Sequence, residues 1–134
     1  MEKWNIFDEN IYFDDYFEIK MSFSEEDNLK ISMFDEHRII MVDFGCVCGF
    51  RVLDEGLVQN GVYFNDEELQ KLKQTKFRNA IYILEDGEFG YYMLNTAGGF
   101  LEQSEIYHFV VISPNFNIDI VTRHLPVSVS IKEI

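Results

Sequence analysis

The feature that most limits what this sequence can fold into is an apolar stretch with a period of two, from Arg38 to Leu53. Its even-numbered positions from 40 to 52 all carry apolar or cysteine side chains, as on the buried face of a β-strand. The stretch is longer than the roughly 3–10 residues of a typical strand. Gly45 and Gly49 therefore predict a bulge, a bend or a break between two strands, and we expect this ribbon to lie at the centre of the sheet.

Three further pairs of segments have the pattern of β-hairpins. The members of each pair are 16–23 with 29–33, 80–84 with 89–94, and 106–112 with 116–121. The connections contain, in that order, a polar run, an Asp-Gly step and a Ser-Pro-Asn sequence, all of which favour turns. Alternating apolar residues at 127, 129 and 131 predict one more strand that closes an edge of the sheet.

One segment, 65–76, carries the start and stop pattern of a helix. Asn65 is a favourable N-cap residue, and Glu68 stands three positions later, as in a capping box. Lysines at 71, 73 and 76 suit the negative end of the helix dipole. We therefore predict an α+β fold in one domain over residues 1–134, with a mainly antiparallel sheet of about eight strands and one principal short helix near 65–76.

The chain is strongly acidic, with a formal net charge of −13 at pH 7. Residues 1–36 hold eleven acidic and three basic side chains, so the excess is concentrated there. Such a field repels nucleic acid and anionic membranes and attracts basic proteins. The sequence has no signal-peptide pattern at its start and no apolar run near the ~20 residues that span a bilayer. We expect a cytoplasmic protein whose partner is another protein.

The sequence offers few candidates for catalytic or metal-binding residues. Cys46 and Cys48 lie one residue apart in an apolar strand and are interpreted as buried thiols. Structural zinc sites need about four ligands at set spacing, and the histidines at 37, 108 and 124 do not provide it. Adjacent carboxylates are common in a chain with 24 acidic residues. The sequence thus predicts no catalytic residue, no metal site and no cofactor, and a protein that is not an enzyme.

Polar residues interrupt the apolar strands at two places. Arg51 stands among strand residues beside Asp54 and Glu55, which favours a structural ion pair at a strand end. His108 lies within the apolar run 106–112, and a hydrogen-bonded core histidine is the ordinary interpretation of such a position.

These places also carry a family resemblance. The stretch from Phe44 to Gly56, followed by 107–111 and by 117–121 before Pro126, resembles small bacterial immunity proteins, which neutralise polymorphic or contact-dependent inhibition toxins. The resemblance implies a mainly β or mixed α+β cytoplasmic domain that binds a toxin domain tightly, often a nuclease. It also implies that a set of signature residues defines the fold, while the toxin-facing surface varies. These residues are Arg51, Asp54, Glu55, His108 and Asp119.

The leading functional hypothesis is therefore an immunity protein that binds a basic toxin domain through acidic residues. The expected contact residues are Asp14, Asp15, Glu25, Glu26 and Asp27, with Glu85, Asp86 and Glu88 as a second group. Aromatic residues dominate many interface hot spots. Tyr12, Phe13 and Tyr16 are thus either anchors beside the first group or part of the core.

Two other functions stay open at this point. One is a small-molecule-binding or enzymatic domain whose pocket surrounds His108 and is lined by Tyr82, Tyr91, Tyr92 and Tyr107. The other is a module that forms homo-oligomers. The sequence does not decide the oligomeric state.

Overall fold

The structure, a computed structural model, describes residues 3–54, 78–99 and 101–134. These ranges contain nine strands and one α-helix, which confirms the predicted α+β, mainly antiparallel fold class. The strands are β1 Lys3–Ile6, β2 Glu18–Ser24, β3 Asn28–Phe34, β4 Arg38–Gly45, β5 Gly49–Asp54, β6 Ile81–Glu85, β7 Tyr107–Ile112, β8 Phe116–Thr122 and β9 Ser128–Glu133. The helix, α1, is Glu88–Ala97, and a short 3-10 helix follows at Gln103–Glu105. The helix predicted near 65–76 lies outside the described residues.

The strands form two sheets, not the single sheet that the sequence suggested. One has the order β1-β6-β7-β8-β5 and the other the order β2-β3-β4-β9. The predicted break between Gly45 and Gly49 is confirmed, but the break carries the chain from one sheet to the other. Gly45 has φ +73°, and a Cβ there would lie 2.8 Å from Val127 Cγ2, so a side chain at this crossover meets both strain and a collision.

The hydrophobic core lies where the two sheets face each other. In β4 the side chains of Ile40, Val42 and Phe44 are buried, as the period of two predicted. Phe109 of β7 is fully buried and contacts Phe7 and Phe44, with ring centroids 5.3 Å and 5.6 Å away. Aromatic pairs of this edge-on and tilted kind add to the stabilisation that burial alone provides.

Two of the three predicted hairpins are confirmed. β2 pairs with β3 from Glu18 opposite Phe34 to Ser24 opposite Asn28, and β7 pairs with β8 across the Ser-Pro-Asn turn. The predicted last strand is β9, which pairs with β4 at the edge of the four-stranded sheet.

The third predicted hairpin, 80–84 with 89–94, is wrong in its second half. β6 is the first strand, but Phe89 to Leu94 belong to α1. Gly87, the N-cap residue, is extended. Gly98, the C-cap residue, adopts the left-handed conformation with φ 61° and donates its N–H to the carbonyl of Asn95. Phe89 is buried and stacks on Tyr92 three residues later, so packing at helical spacing overrides the β-propensity of the aromatic residues.

The prediction of buried cysteines is also wrong. Cys46 is exposed and Cys48 is half-buried, because both lie in the crossover between β4 and β5 and not inside one long strand. Partial burial raises the pKa of the Cys48 thiol, an effect that Arg123 opposes. Within the described ranges, no helix combines the length and apolar character needed to cross a membrane.

Candidate functional site

Three ionisable side chains meet on the face of the five-stranded sheet that is turned away from the core. Arg51 of β5 stands directly opposite Asp119 of β8, and Arg51 Nε donates to Asp119 Oδ2 over 2.8 Å. His108 of β7 lies one strand further on, and its Nε2 is 2.6 Å from Asp119 Oδ1. The cross-strand register therefore assembles an Arg51–Asp119–His108 cluster from three strands.

The cluster places one proton on the histidine ring. Asp119 is fully buried, and a buried carboxylate that accepts a charge-assisted hydrogen bond from an arginine is ionised and only accepts. Nε2 of His108 therefore carries the proton that it donates to Asp119. In the neutral ring the other nitrogen, Nδ1, is then an acceptor. This Nδ1 is buried and has no hydrogen-bond partner among the described residues.

The first turn of α1 lies over this cluster. Arg51 NH1 is 3.6 Å from Glu88 Oε1, and the guanidinium carbon is 4.9 Å from the centre of the Phe89 ring. The Phe89 ring is also 6.0 Å from the His108 ring. Ionic and cation–π contacts of Arg51 thus attach the helix to the sheet.

A cleft of about 600 Å³ opens between this first turn and the strands β6 and β7. Gly87, Gly90 and His108 lie at its inner wall, while Glu85 and Asp86 lie at the β6 end. Tyr91 and Tyr107, two of the four tyrosines predicted to surround His108, also line it. We call this space the His108 cleft.

The other two tyrosines are placed elsewhere. Tyr82 is buried under the Trp4 ring, with centroids 5.9 Å apart. Tyr92 is exposed on the outer surface of α1. The predicted Tyr/His pocket is therefore assembled in part.

Burial raises the pKa of Tyr82 to about 12. An unfolded tyrosine ionises near pH ~10, so between pH ~10 and ~12 the unfolded chain loses a proton that the folded protein retains. We expect the free energy of unfolding to fall over this range by up to about 1.4 kcal/mol per pH unit. Urea unfolding from pH ~8 to ~11.5 measures the slope, which Tyr82→Phe should reduce while Tyr92→Phe leaves it unchanged. Equal slopes in the two variants would contradict the assignment of this pH dependence to Tyr82.

The first predicted group of acidic contact residues does not form one surface. Asp14 and Asp15 precede β2, whereas Glu25, Glu26 and Asp27 follow it, about 20 Å away at the ~3.3 Å rise of a strand residue. Asp14 is paired with Arg78, and Asp15 lines a second cleft of about 600 Å³ that also includes Glu18, Asp35, Glu36 and His37.

The three aromatic residues beside that group have different positions. Phe13 is buried and stacks on Phe17, so it belongs to the core. Tyr12 lies between the guanidinium groups of Arg38 and Arg78, at 4.4 Å and 4.1 Å from its ring centre. Tyr16 is exposed and remains a candidate anchor.

The second predicted acidic group, in contrast, is brought together with exposed aromatic rings. Glu85, Asp86 and Glu88 lie at the start of α1, and Asp86 and Glu88 line a shallow depression with Tyr91 and Tyr92. Tyr91 donates its hydroxyl proton to Asp86 Oδ1 over 2.8 Å. We name these five residues, Glu85, Asp86, Glu88, Tyr91 and Tyr92, the acidic helix face.

The structure brings three of the five signature residues together. Arg51, Asp119 and His108 form the cluster, whereas Asp54 is exposed at the end of β5 and Glu55 lies outside the described residues. The sequence predicted an ion pair of Arg51 with Asp54 or Glu55, and the structure pairs Arg51 with Asp119, which lies 68 positions away. Alternation in β8 was the available clue, since it puts Asp119 on the face opposite Ile118 and Ile120.

Metal binding has no support within the described ranges, where no three His, Cys, Asp or Glu side chains are grouped to hold an ion. Comparisons of the chain with protein-family models, with curated proteins and with solved structures find no match. The resemblance to immunity proteins therefore stays a prediction from the sequence.

Proposed function

We propose that this protein is an immunity-type inhibitor that binds a basic toxin domain through the acidic helix face. The observation that carries the proposal is the position of two exposed tyrosines on one helix beside three carboxylates. Tyr91 and Tyr92 are 45% and 60% exposed.

Exposed tyrosines suit the centre of a protein interface. A tyrosine supplies a large apolar ring and a polar hydroxyl at little cost in side-chain entropy, and such residues are enriched among hot spots. Tyr92 is already held in place by stacking on the buried Phe89 ring, with centroids 6.1 Å apart. The face is therefore partly ordered before any partner arrives, which lowers the entropic cost of binding.

The carboxylates supply selectivity for a basic partner. Glu85 and Glu88 are exposed, and the chain as a whole carries a charge of −13. A field of this sign accelerates association with a positively charged protein and opposes binding to phosphate backbones. An inhibitor of a nuclease needs both properties, because its carboxylates then take the positions that the substrate's phosphates would occupy.

Two substitutions test the acidic helix face against the purified product of the gene immediately upstream. Tyr92→Ala removes the most exposed ring, and Glu85→Lys reverses a charge, so each is expected to weaken binding by at least about tenfold, or ~1.4 kcal/mol. Glu26→Lys is the matched control, since it makes the same charge change in the β2–β3 turn. Calorimetric titration at two salt concentrations measures the affinities.

The expected pattern is a loss for Tyr92→Ala and Glu85→Lys and a small, salt-dependent change for Glu26→Lys. If Glu26→Lys weakens binding as much as Glu85→Lys, the acidic helix face is not the contact surface. Absence of any binding by the unmodified protein at low salt would overturn the proposal as a whole.

A further inference from the structure

The unpartnered nitrogen of His108 sets a requirement for anything that binds in the His108 cleft. Nδ1 is an acceptor in the neutral ring, because Nε2 donates to Asp119. A buried acceptor without a hydrogen bond is unfavourable, so a group that donates to it gains binding energy. The matching group is an N–H or O–H donor.

The helix leaves room for such a donor at this place. Gly87 and Gly90 both face Nδ1: a Cβ at Gly87 would lie 2.6 Å from this nitrogen, and one at Gly90 would lie 3.5 Å from it. Both glycines line the cleft. A Cβ at Gly87 would also lie 2.5 Å from Leu84 Cδ2, so this side of the acceptor is already filled. A Cβ at Gly90 would make only ordinary contacts, so a donor has room on the Gly90 side of the first turn.

The charges around the cleft determine which sign of charge a ligand should carry. The N-terminus of a helix has a partial charge of about +0.5, which by itself favours an anion. Glu85 and Asp86 line the cleft with two carboxylates, and Glu88 adds a third at the start of α1. Beneath them, the charges of Arg51 and Asp119 offset each other. Among the residues that the structure describes, the carboxylates outweigh the dipole, so their field favours a cation and disfavours an anion.

The remaining walls suit an apolar stem. Ile83, Leu84, Leu94 and Ile106 line the cleft, and Tyr91 and Tyr107 add aromatic rings that attract cations. The volume of about 600 Å³ falls within the range of small-molecule sites, roughly 300–1,000 Å³.

We propose that the His108 cleft binds an alkyl-guanidinium or alkyl-ammonium group, which donates an N–H to His108 Nδ1 and keeps its charge near Glu85 and Asp86. The same chemistry is available from a free amine or guanidine compound and from a lysine or arginine side chain of a protein partner. The site goes beyond the proposed inhibitor function and does not depend on it.

Agmatine, which carries a guanidinium and an ammonium group at the two ends of a butyl chain, is the probe for the protein alone. Titration followed by nitrogen-15 spectra of the histidine rings should shift the Nδ1 resonance of His108, whereas butyrate, an anion of similar length, should not shift it. In Gly90→Ala the new methyl group makes an ordinary contact with Nδ1 and favours the helix, so the melting temperature should be unchanged or higher while the agmatine response is lost.

Two further variants keep the test decisive. Asn95→Ala, exposed on the same helix, should bind agmatine as the unmodified protein does. Glu85→Lys should weaken agmatine binding at least about tenfold, even if Gly90→Ala fails to fold. An unshifted Nδ1 resonance at saturating agmatine, or the same shift in Gly90→Ala and the unmodified protein, would overturn the proposal.

A competition experiment identifies the source of the group. If the upstream gene product displaces agmatine, the occupant is a basic side chain of that partner. If both bind together, the cleft takes a free amine or guanidine, and the site stands in either case. Failure of the upstream product to bind leaves the agmatine result intact, so this proposal and the inhibitor function fail separately.

Discussion

Replacing Asp119 by alanine is expected to lower the free energy of unfolding by about 3–5 kcal/mol, the range found when one partner of a buried ion pair is removed. Asp119 is fully buried and accepts from Arg51 and His108 at 2.8 Å and 2.6 Å. Without it, the Arg51 guanidinium and the Nε2 proton of His108 both lose this buried acceptor in a region of low dielectric constant. Urea unfolding at pH 7 measures the loss.

Asp14→Ala is a matched control for this experiment. Asp14 accepts from Arg78 Nε over the same 2.8 Å, but its side chain is 71% exposed. Exposed pairs contribute about 0–1 kcal/mol, so this variant should be nearly as stable as the unmodified protein. Comparable losses in the two variants would show that burial does not distinguish the two pairs.

The second large effect is expected from Phe109→Ala, which should cost about 3–5 kcal/mol. Phe109 is fully buried between the sheets, where its ring contacts Phe7 and Phe44. The substitution leaves a cavity that rigid sheets on both sides cannot close, and it removes two aromatic pairs. Guanidinium unfolding followed by circular dichroism gives the change in midpoint and slope.

Phe23→Ala provides the comparison. Phe23 lies on β2, is 57% exposed and contacts the Phe50 ring edge-on with centroids 5.2 Å apart. Loss of such a pair at the surface should cost about 1 kcal/mol. The assignment of the core between the two sheets would be wrong if Phe23→Ala were the more destabilising of the two.

Much of the strand content could be predicted because it depends on local patterns. Alternation with a period of two and turn residues between the segments located β2, β3, β7, β8 and β9. The break at Gly45 was predicted for the same reason, since glycine inside an apolar run is unfavourable unless the chain bends there. These signals need only a few neighbouring residues, so one sequence contains them.

The transfer of the chain between sheets could not be predicted in this way. β4 and β5 adjoin in sequence, but β4 pairs with β9, 85 to 95 positions away, and β5 pairs with β8, 62 to 72 positions away. No local pattern encodes such distant partners. The exposure of Cys46 follows from the same transfer. The helix α1 was missed because the Asp86-Gly87 step and the aromatic residues after it favour a hairpin locally, while packing of Phe89 against the sheet decides the outcome.

In the candidate site, too, features with a local sequence signal could be predicted and contacts between distant residues could not. Arg51 and His108 were noticed because each interrupts an apolar strand, and a hydrogen-bonded core histidine was expected. Their common partner Asp119 was included only through the family resemblance, since its contact with Arg51 spans 68 positions. Glu85, Asp86 and Glu88 are grouped with Tyr91 and Tyr92 only because this segment is a helix. The hairpin predicted for the same segment gave no indication of this grouping.

The position of β8 has a consequence for how the chain acquires its structure. β8 lies between β7 and β5 and is the only neighbour of β5 among the described strands, so this pairing waits until residues 116–122 have been synthesised. The ion pair of Arg51 and Asp119 forms at the same step. Contacts across so long a separation slow folding to the millisecond-to-second range that is common for all-β domains. The cluster beneath α1 is therefore assembled late, after translation has passed most of the chain.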